Sequence, residues 1–316
     1  MKKTAFLFPG QASQYVGMAG ELYDGFEDVR NLFETASEIL KYDLADVCFN
    51  GPEEKLKQTA YTQPAVFVHS CAVDLMLYKE GITPRAAAGH SLGEYSALVS
   101  SGALDFDIAM KAVAVRSRAM QEDCDNNPGT MAAVMGLDYD DVAGTLKSAR
   151  GAVVPANYNS PGQVVIAGEI EAVDRACDLL KEKGARRTVP IAVGGAYHSS
   201  LMDNSSEKMR KFIMEELKLS PLRFPVYSNV SAGPVDDPER FRELLADQIS
   251  NPVLWYPIIQ NMYRDGIRRF IEIGPGKVLQ GLVKRSLNFD DIELSGIDNR
   301  ENLIDFLKEN AEVESA

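Results

Sequence analysis

Short apolar runs alternate with longer amphipathic ones along the chain, the pattern of an α/β protein. Thr4–Phe8 reads as a buried strand stopped by Pro9-Gly10. Helices are predicted over Glu21–Lys41, Gln63–Lys79, Leu92–Ser101 and Asp105–Cys124, with a short apolar strand at Arg85–Gly89. Later strands are predicted at Phe224–Val230 and Arg268–Ile273, and helices at Pro238–Ile249 and Leu279–Ser286. The middle has another rhythm. Strand Met131–Met135, helix Asp138–Ala149, strands Ala152–Asn157 and Gln163–Gly168, helix Ile170–Lys183 and strand Arg187–Ile191 follow in the order βαββαβ. That order is a ferredoxin-like split unit. Asn126-Asn-Pro-Gly129 and Gly194-Gly195 bracket it as hinges. The expectation is α/β: residues 1–126 and 195–316 form a large α/β-hydrolase-like domain with a parallel sheet, and 127–194 an inserted small subdomain.

Composition narrows the function. The 316 residues carry a formal charge of −13, which argues against nucleic acid as the main ligand. The four cysteines stand at least 23 residues apart, so they read as reduced thiols and not as a metal or disulfide framework. Ala5–Phe8 is too short for a signal-peptide core, and no apolar run approaches a membrane span. A cytoplasmic protein with no metal and no membrane contact is expected.

Gly89-His-Ser-Leu-Gly93 fits G-x-S-x-G between a predicted strand and a predicted helix, the setting of a nucleophile elbow. The alternative is an ordinary glycine-rich turn. Ser91 would need a base, and only three histidines exist. His69 lies in an apolar helical run and reads as a core residue. His90 adjoins the serine, too close in the chain to serve, and would shape the turn or touch substrate. His198, in Gly194-Gly-Ala-Tyr-His-Ser199, is left as the base by elimination.

The set Phe8-Pro-Gly-Gln-Ala-Ser-Gln14, Thr62-Gln-Pro-Ala65, Gly89-His-Ser-Leu-Gly-Glu-Tyr-Ser96, Arg116-Ser-Arg-Ala-Met-Gln121, Asn157-Tyr-Asn-Ser-Pro-Gly-Gln163, Gly195-Ala-Tyr-His-Ser199, Gln248-Ile-Ser-Asn-Pro-Val253 and Glu272-Ile-Gly-Pro-Gly-Lys277 resembles the malonyl-CoA–acyl carrier protein transacylases. The related acyltransferase domains of polyketide synthases share these motifs. The chain starts at its first strand, as expected of a free-standing enzyme. The resemblance implies ping-pong transfer of malonyl from malonyl-CoA to the phosphopantetheine thiol of acyl carrier protein, in fatty-acid or polyketide synthesis. Nothing in the sequence requires more than a monomer, and no motif points to a permanently bound cofactor. It implies Ser91 as nucleophile, His198 as base, the Gln248 carbonyl as the orienter of His198, and the Gln11 and Leu92 N–H groups as the oxyanion hole. Arg116 would bind the malonyl carboxylate and reject acetyl groups. Gln63, His90, Met120, Asn159 and Gln163 would line the site or serve equally as structural residues, and Tyr197 would keep the pocket tight.

Two departures stand out: Ala12 where the family usually has Gly, and Tyr197 where it commonly has Phe. A positive φ would strain Ala12. In the related domains a bulky aromatic before the loop histidine accompanies malonyl, so the resemblance implies that Tyr197 favours malonyl over methylmalonyl. The remaining alternatives are a methylmalonyl-selective acyltransferase, a serine thioesterase or hydrolase of acyl-carrier thioesters, and an inactive carrier-binding module. An acidic carrier would be repelled by the net charge, so docking needs a local basic patch. Lys181, Lys183, Arg186 and Arg187 are candidates, as are Lys277, Lys284 and Arg285. Leu287–Ala316, with nine acids and two bases, is the acidic end.

Overall fold

The computed structural model describes residues 2–287 and 289–314, the last four by backbone alone. The chain runs β1 (Lys3–Phe8), α1 (Gly20–Gly25), α2 (Glu27–Leu40), α3 (Leu44–Asn50), α4 (Glu53–Leu56), α5 (Thr59–Lys79), β2 (Ala86–Gly89), α6 (Gly93–Ser100) and α7 (Phe106–Asn126). Then come β3 (Gly129–Met135), α8 (Tyr139–Leu146), β4 (Val153–Ser160), β5 (Gln163–Glu169), α9 (Ile170–Glu182) and β6 (Arg187–Ile191). The rest is α10 (Asp203–Glu216), β7 (Val226–Tyr227), β8 (Pro234–Val235), α11 (Pro238–Asp247), α12 (Trp255–Arg264), β9 (Ile267–Ile273), α13 (Val278–Ser286), β10 (Glu293–Ile297) and α14 (Arg300–Glu314).

The main sheet has the order β10-β9-β1-β2-β7-β8, parallel except for the edge pair β7–β8. Parallel strands need helices on both faces, and β1 is built for that. Phe6 and Phe8 enter one core with α2, α5, α6 and α7, while Ala5 and Leu7 enter another with Trp255 and Leu282. The register sets Phe8 beside Gly89, so the loop after β1 and the turn after β2 leave the sheet side by side. Ligands of open α/β sheets bind at this carboxyl end.

The second sheet is antiparallel in the order β4-β5-β3-β6, the ferredoxin-like arrangement. Ala132, Val134, Val164 and Ile166 pack under α8 and α9. Met131, Val165 and Ala167 alternate with them and join the main core. The architecture is the mixed α/β class expected from the sequence.

Several elements differ from expectation. The helix expected over Glu21–Lys41 breaks at Phe26, which is extended (φ −135°, ψ 124°), and restarts with Glu27 and Asp28 in its first turn. The strand expected over Phe224–Val230 shrinks to Val226–Tyr227. The pattern of apolar positions gives no expectation for α3, α4, α12 or β10. Among the described residues, no helix is long and apolar enough to cross a membrane, and all four cysteines are free and buried.

Candidate active site

Ser91 sits in the turn between β2 and α6 with φ 52°, a left-handed conformation that L residues adopt only under constraint. The flanking glycines have steric reasons. A Cβ on Gly89 would lie 1.8 Å from the Gly93 carbonyl carbon, and one on Gly93 would lie 2.1 Å from the Phe8 oxygen. The turn therefore presses against the end of β1 and lifts Ser91 clear of the sheet.

His198 reaches this serine from the other side of the cleft. Its Nε2 lies 2.9 Å from Ser91 Oγ. Its Nδ1 lies 3.2 Å from the Gln248 carbonyl oxygen and 3.0 Å from that of Asn251. Two acceptors at Nδ1 require that nitrogen to carry the proton, so Nε2 is bare and accepts from the serine hydroxyl. Among the described residues no carboxylate bonds His198. Burial, then the positive charge of Arg116 and the neighbouring His90, lower the His198 pKa to about 3. The imidazole is thus neutral near pH 7.

Arg116 comes from α7 with none of its surface exposed. One Nη donates to Gln63 Oε1 at 2.6 Å; the other donates to Ser91 Oγ and to Gln248 Oε1, each at 3.0 Å. It lies over the Tyr95 ring at 5.9 Å. Among the described residues no carboxylate is within ion-pair distance, and its Nε has no hydrogen-bond partner. The nearest acid is Glu94 on α6, reached through Gln248, whose Nε2 donates to both Glu94 and the Ser91 carbonyl. Burial raises the Glu94 pKa to about 7, against the hydrogen bonds of Asn229 and Gln248 and the charge of Arg116. A buried guanidinium without a full counter-charge is costly, and an incoming anion relieves that cost.

The other expected residues divide into two groups. Gln11, His90, Asn159, Gln163 and Tyr197 line, with Ser91 and His198, a cavity of about 210 Å³ between the two sheets. His90 Nε2 donates to Asn159 Oδ1 at 2.9 Å. Gln11 is held by Gln63, Thr59 and Tyr197, and the Tyr197 hydroxyl also bonds Thr59. Among the described residues, neither the Gln11 nor the Leu92 backbone N–H donates to a protein acceptor. Gln63 and Met120 stand behind this layer: Gln63 Nε2 contacts the Met120 sulfur at 3.4 Å, and Met120 is buried in the core. Ala12 does take a positive φ, 75°. It lies at the surface, with its N–H bonded to Gln14.

Two contributors carry no signal of their own in the sequence. Asn251 supplies the second carbonyl to His198, and Asn229 bonds the serine turn at both Gly89 and Ser91. The Asn251-Pro-Val253 stretch stands out only through the motif around Gln248.

Comparison with known proteins agrees with this geometry. The acyl transferase domain family matches residues 5–313. The chain is 41% identical over 313 residues to the malonyl CoA-acyl carrier protein transacylase of Bacillus subtilis, covering 98% of each chain. To the protein of the same name from Haemophilus influenzae it is 42% identical over 290 residues, 90% of this chain and 92% of that one. Among solved structures, an acyl carrier protein S-malonyltransferase from Vibrio cholerae superposes with a TM-score of 0.90 at 40% identity, over 96% of this chain and 99% of that one. A malonyl-transacylase solved in complex with its type II PKS acyl-carrier protein superposes with a TM-score of 0.91 at 39% identity, over 98% of this chain and all of that one. The chain belongs to the acyl transferase domain family and, within it, to the malonyl CoA-acyl carrier protein transacylases.

Proposed function

We propose that the protein moves a malonyl group from malonyl-CoA to the phosphopantetheine thiol of acyl carrier protein through an ester on Ser91. Ser91 Oγ passes its proton to His198 Nε2 and attacks the thioester carbonyl. Collapse of the tetrahedral intermediate breaks the C–S bond, and the coenzyme A thiolate takes the proton back from His198. The carrier thiol then gives its proton to His198, its thiolate attacks the ester, and Ser91 leaves and is reprotonated. The imidazolium formed in each half is steadied by the Gln248 and Asn251 carbonyls. The free N–H groups of Gln11 and Leu92 suit the oxyanion, each donor worth about 3 kcal/mol.

The observation that carries this reading is Arg116. Its buried guanidinium lies 3.0 Å from the nucleophile and has no ion pair among the described residues. A malonyl carboxylate supplies the missing charge and takes the planar fork. It also offsets the charge that helps depress His198, so the base strengthens when the matching substrate is bound. An acetyl group does neither.

The role of carrier partner fits α13. Leu279, Leu282 and Arg285 of this helix face the cavity, and Lys277 and Lys284 are exposed beside them, a local basic stretch despite the net charge. A cytoplasmic monomer belongs to this reading: the four cysteines are free and buried, and one chain supplies Ser91, His198 and Arg116 together. The division at residues 126–127 and 194–195 suits a cleft lined from both sheets. Initial rates with malonyl-CoA and holo-carrier both varied test the reaction. Parallel double-reciprocal lines and an inactive Ser91→Ala protein support it. Intersecting lines, or malonate released faster than malonyl-carrier forms, favour a direct or a hydrolytic reaction instead.

A further inference from the structure

Asn229 lies in the connection between β7 and β8, where the sequence predicts a continuing strand. It is fully buried and bridges the serine turn. Its Nδ2 donates to the Gly89 carbonyl at 2.7 Å, and its Oδ1 accepts from the Ser91 N–H at 2.7 Å. The amide orientation is unambiguous, because the Gly89 carbonyl only accepts and the Ser91 N–H only donates. Its own N–H donates to Glu94 Oε1 at 2.5 Å, and its carbonyl accepts from Leu254 N at 3.0 Å. The clamp is therefore held from α6 and from the start of α12. It ties together the residues on either side of His90 and so fixes the turn that carries the positive φ of Ser91.

We propose that Asn229 is a positioning residue for the nucleophile: its carboxamide holds the strained serine turn so that Ser91 Oγ stays in line between His198 and the substrate. The inference rests on Ser91 being the nucleophile. Without the clamp, the Ser91 N–H and the Gly89 carbonyl lose buried partners and the turn relaxes away from its left-handed conformation. Misplacing a reacting atom by ~1 Å costs on the order of a hundredfold in rate. KM for malonyl-CoA stays near its original value, because the carboxylate is held by Arg116 on another helix.

The isosteric variant Asn229→Asp separates positioning from mere packing. The introduced carboxyl group, when protonated, donates to the Gly89 carbonyl and accepts from the Ser91 N–H, reproducing the clamp. When ionised, it sets an oxygen lone pair against the Gly89 carbonyl and breaks the clamp. Glu94 on α6 faces the position directly and, with burial, favours the protonated form; Arg116 on α7, His90, His198, Tyr95 and Tyr197 are further charged or titratable groups of the site. Asn229→Asp is expected to keep kcat within about threefold of the parent at pH 5 and to lose about a hundredfold by pH 9, with no such fall in the parent. Asn229→Ala is expected to lose about a hundredfold at every pH, with KM within about threefold. Rates are taken per active site, titrated with a serine-directed phosphonate, so a loss of folded protein does not register. If Asn229→Asp does not fold, Asn229→Ala decides. Parental kcat in Asn229→Ala, or an Asn229→Asp profile with no fall between pH 5 and pH 9, overturns the proposal. Retained transfer by Ser91→Ala would instead overturn the underlying reading, so the two failures are distinguishable.

Discussion

Replacing Arg116 with alanine should invert the preference of the enzyme between charged and uncharged acyl groups. The guanidinium is fully buried and donates to Ser91, Gln63 and Gln248. A malonyl carboxylate entering this site would exchange water for two charge-assisted hydrogen bonds, each worth about 1.5–3 kcal/mol. Losing both removes about 3–6 kcal/mol, or roughly 10²–10⁴-fold in kcat/KM for malonyl-CoA. Acetyl transfer moves the other way. Arg116 is the charge that, after burial, holds the His198 pKa down, so its removal makes the base stronger. The carboxylate-free thioester also no longer meets a buried charge it cannot pair. Loading of Ser91 from malonyl-CoA and acetyl-CoA, followed by quenched-flow and intact-mass analysis, measures both rates on one protein. Arg116→Lys should fall between, since one ammonium cannot reach Gln63, Gln248 and a carboxylate together. An unchanged malonyl-to-acetyl ratio in Arg116→Ala would refute the assignment of Arg116 to the carboxylate.

Further outcomes follow from the same geometry. The neutral form of His198 is the active one and its pKa is lowered to about 3 from the ordinary 6.5. Activity should therefore persist as pH falls through 6.5 and be lost only as it approaches the lowered value. A limb near pH 6–7 in kcat/KM that survives Glu94→Gln would contradict this, since Glu94 is the carboxyl bonded to Gln248 and Asn229 beside the site and burial raises its pKa to about 7. Gly89→Ala and Gly93→Ala place a Cβ within 2.1 Å or less of backbone and should destabilise the protein by several kcal/mol, read as a fall in Tm. Ala12→Gly relieves a left-handed alanine worth about 1–2 kcal/mol but adds about 0.4–1 kcal/mol of unfolded-chain entropy. A small gain in Tm is expected; a clear loss would show that the Ala12 methyl group packs usefully.

Much of this is legible in the sequence. The βαββαβ rhythm is visible because each element of the small sheet has its own apolar alternation and its own turn residues, such as Asn159-Ser-Pro-Gly162. The serine turn is visible because only glycine fits where Gly89 and Gly93 meet backbone. His198 can be reached by elimination among three histidines. What escapes has a common cause. Phe26 breaks a helix whose flanks both look helical: it is extended and packs against the main core, and the Asp24-Gly25 stop signal before it is masked by the amphipathic period on either side. Val226–Tyr227 ends early because Asn229 is drawn to the serine turn, a contact across 138 residues that no periodicity records. Arg116 looks like any cation in a helical run apart from its family motif. Its neighbours Gln63 and Gln248 come from elements 53 and 132 residues away. Polar networks of this kind are set by tertiary geometry, whereas amphipathic period and turn chemistry are local.

The central claim is a malonyl ester on Ser91 as an obligatory intermediate. Intact-protein mass spectrometry after mixing with malonyl-CoA, with peptide mapping and then addition of holo-carrier, tests it most directly. The expected result is one malonyl adduct on Ser91, stable without carrier, discharged by carrier as malonyl-carrier appears, and missing in Ser91→Ala. An adduct on another residue, malonyl-carrier formed without any adduct, or discharge to free malonate at the same rate with and without carrier would contradict the account.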